Sequence, residues 1–131
     1  MQKLSLIILC LLSLGLAQGQ DRLFPIRIDN KWGFVNSNGA QVIEPKYDAV
    51  GEFGRNSYTN MLLDGTIGLV HKNGEEVFIP GVTTLRVMND SSVAVKKDTI
   101  WGVVDMQGNY LLPIKYSSVG DHPGGYFEAR K

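Results

Sequence analysis

Cysteine is almost missing from this chain: Cys10 is the one example in 131 residues. A single thiol excludes a disulfide framework and any multi-thiolate zinc site. An excess of either charge is missing too, with 13 Lys and Arg against 13 Asp and Glu. Nucleic-acid binding by counterion displacement needs a basic surplus, so that class is set aside. Histidine is limited to His71 and His122. No segment keeps a helical period; the nearest candidate, Tyr47 to Phe53, is short and contains Gly51. The longest apolar run, Leu4 to Leu16, would reach about 20 Å as a helix, less than the roughly 30 Å of a hydrocarbon core. What is present is glycine, 15 residues of it, and a 44% hydrophobic fraction. That balance suits one packed domain.

The N-terminus reads as an export signal. Met1-Gln2-Lys3 is positively charged, Leu4 to Leu16 is apolar, and Ala17 and Gly19 stand as the −3 and −1 residues of a cleavage site. A charged start, a short apolar middle and a small-residue exit define a secretory signal peptide, here 1–19, leaving 20–131 as the exported domain. Cys10 does not read as a lipid-modified cysteine, because Leu9 precedes it and further apolar residues follow. It is a small hydrophobe within the signal. The exported part then has no thiol, and its stability must come from packing.

Three stretches share one plan. They are Asp29-Asn30-Lys31-Trp32-Gly33-Phe34-Val35, Asp64-Gly65-Thr66-Ile67-Gly68-Leu69-Val70 and Asp98-Thr99-Ile100-Trp101-Gly102-Val103-Val104. Gly33, Gly68 and Gly102 are 35 and 34 residues apart, and each is followed six residues later by Gly39, Gly74 or Gly108. Pro45, Pro80 and Pro113 follow in turn. The two-residue period of a strand puts Trp32 and Phe34 on one face and Gly33 and Val35 on the other, both apolar, so this strand is expected to be covered on both sides. Glycine inside it marks a close approach or a bulge.

Turn chemistry separates the strands. Asn36-Ser37-Asn38-Gly39 sets an Asx side chain where it caps a type I turn, with Gly39 left-handed in the bulge after it. His71 to Gly74 and Asp105 to Gly108 follow the same plan. Return strands are expected at Ala40–Ile43, Glu76–Ile79 and Tyr110–Leu112, each stopped by its proline, which has no N–H to donate. Lead-in strands are expected at Ile26–Ile28, Tyr58–Leu63 and Ser92–Lys97. Asp29, Asp64 and Asp98 recur at a turn position, where an Asx-turn role is expected.

The expected fold is therefore all-β: three repeats of about 35 residues, built from short antiparallel strands as a hairpin or meander array of solenoid, propeller or barrel type. The copies span about 26–53, 58–88 and 92–121, with a partial one at 126–131. A unit this size does not bury its own face, so neighbours must stack. Phe127–Arg130 reads as the opening strand of a fourth copy, and its pairing with a strand near Ile26 would close the array.

Lys31-Trp32-Gly33-Phe34-Val35-Asn36-Ser37-Asn38-Gly39, followed by Val42-Ile43-Glu44-Pro45-Lys46-Tyr47-Asp48 and Phe53, resembles the WG β-repeat. Trp101-Gly102-Val103-Val104-Asp105 with Gly108, Pro113, Lys115 and Tyr116 is similar to it as well. The middle stretch departs, with Ile67 for tryptophan and no tyrosine after Pro80. The resemblance implies a bacterial, often exported protein made of β-hairpins. It implies no catalytic activity and no agreed ligand, so it assigns no site residues.

Candidate chemistry is sparse. His71 and His122 lie in unlike contexts, Glu75-Glu76 and Lys96-Lys97 look like solvated strand ends, and no nucleophile, base and metal constellation forms in the sequence. A calcium loop at Asn36, Asn38 and Gly39 would need glutamate where Pro45 stands. No catalytic residue, metal ligand or cofactor is expected. Two binding readings are open. The first is a secreted or periplasmic non-enzymatic module for a protein or envelope macromolecule. The second is a glycan platform of Trp32, Trp101, Tyr47, Tyr116, Tyr58 and Tyr110. Trp32 and Trp101 are expected in the core, since tryptophan on a strand covered on both sides is usually interior.

Overall fold

A computed structural model of the chain describes residues 22–123 and 126–131. The expected signal peptide helix and the expected cleavage site at Gly19 lie outside those residues. The described chain is all β, with thirteen strands in four antiparallel sheets and no helix. The first sheet is β1 (Leu23–Ile28), β2 (Lys31–Asn36) and β3 (Gln41–Tyr47). The second runs β4 (Ala49–Val50), β5 (Tyr58–Leu63), β6 (Thr66–His71), β7 (Glu76–Phe78). The third runs β8 (Thr84–Asn89), β9 (Ser92–Lys97), β10 (Ile100–Val104), β11 (Tyr110–Tyr116). The fourth holds β12 (Ser118–His122) and β13 (Tyr126–Arg130).

The sheets stack face on face. Phe34, Ile43 and Tyr47 of the first sheet meet Met61 and Val70 of the second, with Phe53 between them. Leu69 and Ile79 of the second meet Val93, Val95 and Val104 of the third. Ala94 and Val103 of the third meet Val119 and Phe127 of the fourth. Adjacent residues such as Leu69 and Val70, or Val103 and Val104, are each fully buried because strand alternation sends them to opposite neighbours. The two-sided burial expected of these strands is thus what the stack produces for β6 and β10, whereas in β2, on the end sheet, Phe34 is buried and Val35 only half-buried.

Two local geometries recur. At the tight turns, Asp29 (φ 51°), Asp64 (φ 50°) and Asp98 (φ 56°) hold left-handed backbone. Their recurrence reflects tolerance of that conformation, which Asn and Asp accept better than other side chains, rather than the Asx-turn role expected of them. The wider turns behave as anticipated. Oδ1 of Asn36 accepts the N–H groups of Asn38 and Ala40, Nδ1 of His71 accepts that of Asn73, and Oδ1 of Asp105 accepts those of Gln107 and Asn109.

Two of the three prolines do not stop their return strands, whereas β7 ends at Phe78, before Pro80. β3 and β11 run on through Pro45 and Pro113. Between Phe34↔Ile43 and Trp32↔Tyr47 the return strand carries two extra residues, and Val103↔Leu112 with Trp101↔Tyr116 repeats this. A bulge leaves residues outside the ladder, so a missing N–H costs nothing there. The bulge also presses on the central glycine: a Cβ on Gly33 would lie 2.4 Å from the Ile43 carbonyl oxygen, and one on Gly102 2.8 Å from that of Leu112.

The expected closure does not occur. β13 pairs with β12, in register Ser118↔Arg130 to His122↔Tyr126, and not with β1. Its place matches that of β5 beside β4, where Ala49↔Leu62 and Val50↔Met61 pair in the same sense. Among the described residues no ladder joins the first sheet to the fourth. Strands β4, β8 and β12 are additional to those expected from the sequence.

Candidate functional surface

The aromatic side chains divide into three environments. Tyr47 is fully buried, Trp32, Trp101, Tyr58 and Tyr116 are half-buried, and Tyr110 is exposed. Trp32 and Trp101 are therefore neither the sealed core residues expected nor an open platform.

The hairpin register explains their state. A two-residue turn sets Arg27 directly across from Trp32, and Lys96 across from Trp101. The Arg27 guanidinium carbon lies 6.0 Å from the Trp32 ring centre, and Lys96 Nζ lies 5.4 Å from that of Trp101. Arg86 adds a second cation at 5.7 Å, held in place by its hydrogen bond to the Val119 carbonyl at 2.9 Å. Cations over indole faces are attracted by the ring quadrupole. In the second sheet the corresponding pair is Leu62↔Ile67, so tryptophan and its cation are lost together. The sequence carried this signal in the Asp-Asn and Asp-Thr turns. Counting back across each one finds Arg27, which had read only as part of a lead-in strand, and Lys96, which had read as a charged strand end.

The Pro-Lys-Tyr stretch ties two sheets together. The Tyr47 hydroxyl donates to Glu76 Oε2 at 2.5 Å, and Lys46 Nζ lies 3.2 Å from the same oxygen. Burial, then the Glu76 hydrogen bond, pushes the Tyr47 hydroxyl far above its ordinary range, so it stays a neutral donor. The same bond holds the Glu76 carboxyl below the usual carboxylate range. Glu76 is thus a partner for a buried phenol, not a solvated strand end.

A group whose pKa is depressed in the folded state stabilises it above the unfolded pKa and loses that contribution as pH falls. Tyr47→Phe is expected to cost about 1.5–3 kcal/mol at pH 7, the range for hydrogen bonds to charged groups. The gap between wild type and variant should narrow between pH 7 and an acid pH low enough to protonate Glu76, whose carboxyl is held below the usual carboxylate range. Thermal melts at both pH values check this; a gap that stays constant would contradict it.

Asp48, next in the chain, bridges Lys31 Nζ at 2.5 Å and the Asp64 N–H at 2.9 Å. The Lys31 bond lowers the Asp48 carboxyl pKa, and the reciprocal bond raises that of Lys31. His71 stacks edge-on against Tyr58 at 4.7 Å between ring centres, in addition to its turn contact. His122 ends β12, on a different sheet, so the structure does not bring the two histidines together. Among the described residues no group of three or more His, Cys, Asp or Glu is placed to hold a metal ion. A shallow, open groove of about 250 Å³ lies between Asn89, Asp121 and His122.

The model of the WG-containing repeat matches residues 32–65 and 101–131. Each match begins on a cation-covered tryptophan, and the stretch between them is the one carrying Ile67 in its place. A matched segment supplies the last two strands of one sheet and the first two of the next, so the sequence unit and the sheet are out of phase. No curated protein and no solved structure matches the chain. The paired bulge-and-glycine strands, the buried Tyr47 and the two matches agree: the chain belongs to the WG-containing repeat family.

Proposed function

We propose that this protein is an exported, non-enzymatic binding module, released by signal cleavage near Gly19 into the periplasm or medium. In this reading it is three copies of one unit with the opening strand of a fourth, and it recognises a protein of the cell envelope through its repeated surface. The observation that carries this is the pair of cation-covered indoles, Trp32 with Arg27 and Trp101 with Arg86 and Lys96. They put one chemical pattern on two sheets of one stack, and repeated contacts gain from effective concentration without new chemistry.

A glycan platform is the second reading, favoured by the recurrence of tryptophan at corresponding positions. Against it, sugar stacking needs a bare ring face, and these faces already carry cations. The test is retention of envelope extracts on immobilised protein, with Arg86→Ala/Lys96→Ala as the comparison. Retention that is lost after protease treatment of the extract and weakened in the variant is expected. Loss after periodate instead, with indole quenching by oligosaccharides, supports the glycan reading. Equal retention by variant and wild type overturns the role given to this surface.

A further inference from the structure

Among the described residues, the two end sheets carry complementary subsets of the four strands found in the middle sheets. In the second, third and fourth sheets a first strand hydrogen-bonds to the next through one repeated backbone contact. The N–H of Asp48 donates to Leu62 O, that of Thr83 to Lys96 O, and that of Ser117 to Arg130 O, at 2.6–2.9 Å. Corresponding pairs follow: Ala49↔Leu62, Thr84↔Lys96, Ser118↔Arg130. The carbonyl in the same position of the first sheet is that of Arg27, one residue before the turn pair Ile28↔Lys31. Among the described residues no strand pairs with that edge of β1.

The face behind β1 is uncovered as well. Phe24 is 41% exposed, whereas Thr59 and Val93 at the corresponding positions are 2% and 0% exposed. At the far end β12 and β13 form only the first half of a sheet. Leu112 and Tyr116 of the third sheet consequently stay half-buried, whereas Ile43 and Tyr47, under a full sheet, are 5% and 0% exposed. Among the described residues, one end has three strands, corresponding to the second to fourth of a full sheet, and the other has two, corresponding to the first and second.

We propose that copies of this chain associate head to tail, with β1 of one copy taking the place of β13 beside β12 of the next. The sequences of the two strands support the exchange. β1 reads Phe24-Pro25-Ile26-Arg27 and β13 reads Phe127-Glu128-Ala129-Arg130, matching in the aromatic anchor and in the arginine. In the exchanged register Ser118 faces Arg27, and Asp121 faces Phe24 with Arg22 two residues along on the same side. Pro25 is compatible, since in the second sheet the corresponding Asn60 accepts through its carbonyl from the Gly51 N–H. β2 and β3 then arrive behind β1 to cover Leu112 and Tyr116. Such an interface is heterologous and builds rings or filaments.

The test uses the full chain with Cys10→Ser, so that the introduced thiols are the only ones. Arg27→Cys with Ser118→Cys is expected to give disulfide-linked dimers and higher multimers on oxidation, increasing with protein concentration. Monomer alone, whether unlinked or linked internally, overturns the proposal. Ser118→Cys with Arg130→Cys locks β13 onto β12 and should suppress assembly at least tenfold; undiminished assembly overturns the exchange. Phe24→Ser should lower association about tenfold without moving the melting temperature of the monomer. Sedimentation of the wild-type chain must itself show concentration-dependent association, and a strict monomer at all concentrations rejects the idea independently of any variant.

Discussion

Gly33→Ala is expected to lower stability by about 3 kcal/mol, the upper end of the cost of overpacking a rigid interior. At this chain length that is a fall in melting temperature of roughly 10 °C or more. The added methyl would sit 2.4 Å from the Ile43 carbonyl oxygen and 2.6 Å from the Pro45 nitrogen, both backbone atoms inside a bulge. Neither atom is the end of a flexible side chain, so relief requires the bulge to unwind. That in turn would pull Tyr47 off Glu76. Gly102→Ala meets the Leu112 carbonyl oxygen at 2.8 Å and should follow at a smaller cost. Gly39→Ala is the control. Its φ is +81° but nothing lies within 4 Å of the new methyl, so it bears only the left-handed backbone penalty of about 1–2 kcal/mol. Thermal melts of the three variants order them; Gly33→Ala no worse than Gly39→Ala would remove close approach as the reason for the glycine.

Phe34→Ala is expected to cost about 3–5 kcal/mol, the range for deleting a buried aromatic ring. Phe34 is fully buried and meets Phe53 edge-on, with ring centres 4.7 Å apart and planes at 62°. The pair joins the first sheet to the loop that follows β4, so its loss acts on one inter-sheet contact rather than on the whole stack. In a linear array each unit touches only its neighbours, and stability is close to a sum of local contributions. The first sheet should therefore come away separately, giving a broadened denaturant transition with a lower slope, and early proteolysis between Leu23 and Tyr47. Phe24→Ala, on the uncovered face, should change stability by less than about 0.5 kcal/mol, as surface positions do. A Phe34→Ala variant that melts as sharply as wild type, only at lower denaturant, would show that the four sheets unfold as one unit.

Much of the local architecture was legible along the chain. The Asx residues and glycines at Asn36 to Gly39, His71 to Gly74 and Asp105 to Gly108 announced their turns, because one side chain capping its own loop is a local event. The hydrophobic pairs Leu69 with Val70 and Val103 with Val104 announced strands covered on both faces, and the pair Phe34 with Val35 announced one that the end sheet covers on a single face. Pro45 and Pro113 misled for an equally definite reason. Missing an N–H ends a ladder only where the ladder needs that donor, and whether it does depends on the partner strand. Glu76 misled likewise: its charge suggested solvent, but a phenol from 29 residues earlier meets it. The Trp–cation pairs fell between these cases, readable once the hairpin register is drawn but invisible to a scan of single residues.

Sequence alone determined the unit: its turns, its two-faced strands, the glycine beside the tryptophan, and the middle stretch in which tryptophan and tyrosine are both lost. Those features depend on contacts within a few residues or across one tight turn, so the order of side chains is enough to specify them. Tertiary structure alone decided how units share strands, that β13 joins β12 rather than β1, and that the indoles sit half-covered beneath arginine and lysine. Such outcomes depend on which neighbouring sheet arrives to bury a face, and that is set by the whole stack rather than by any one segment of it.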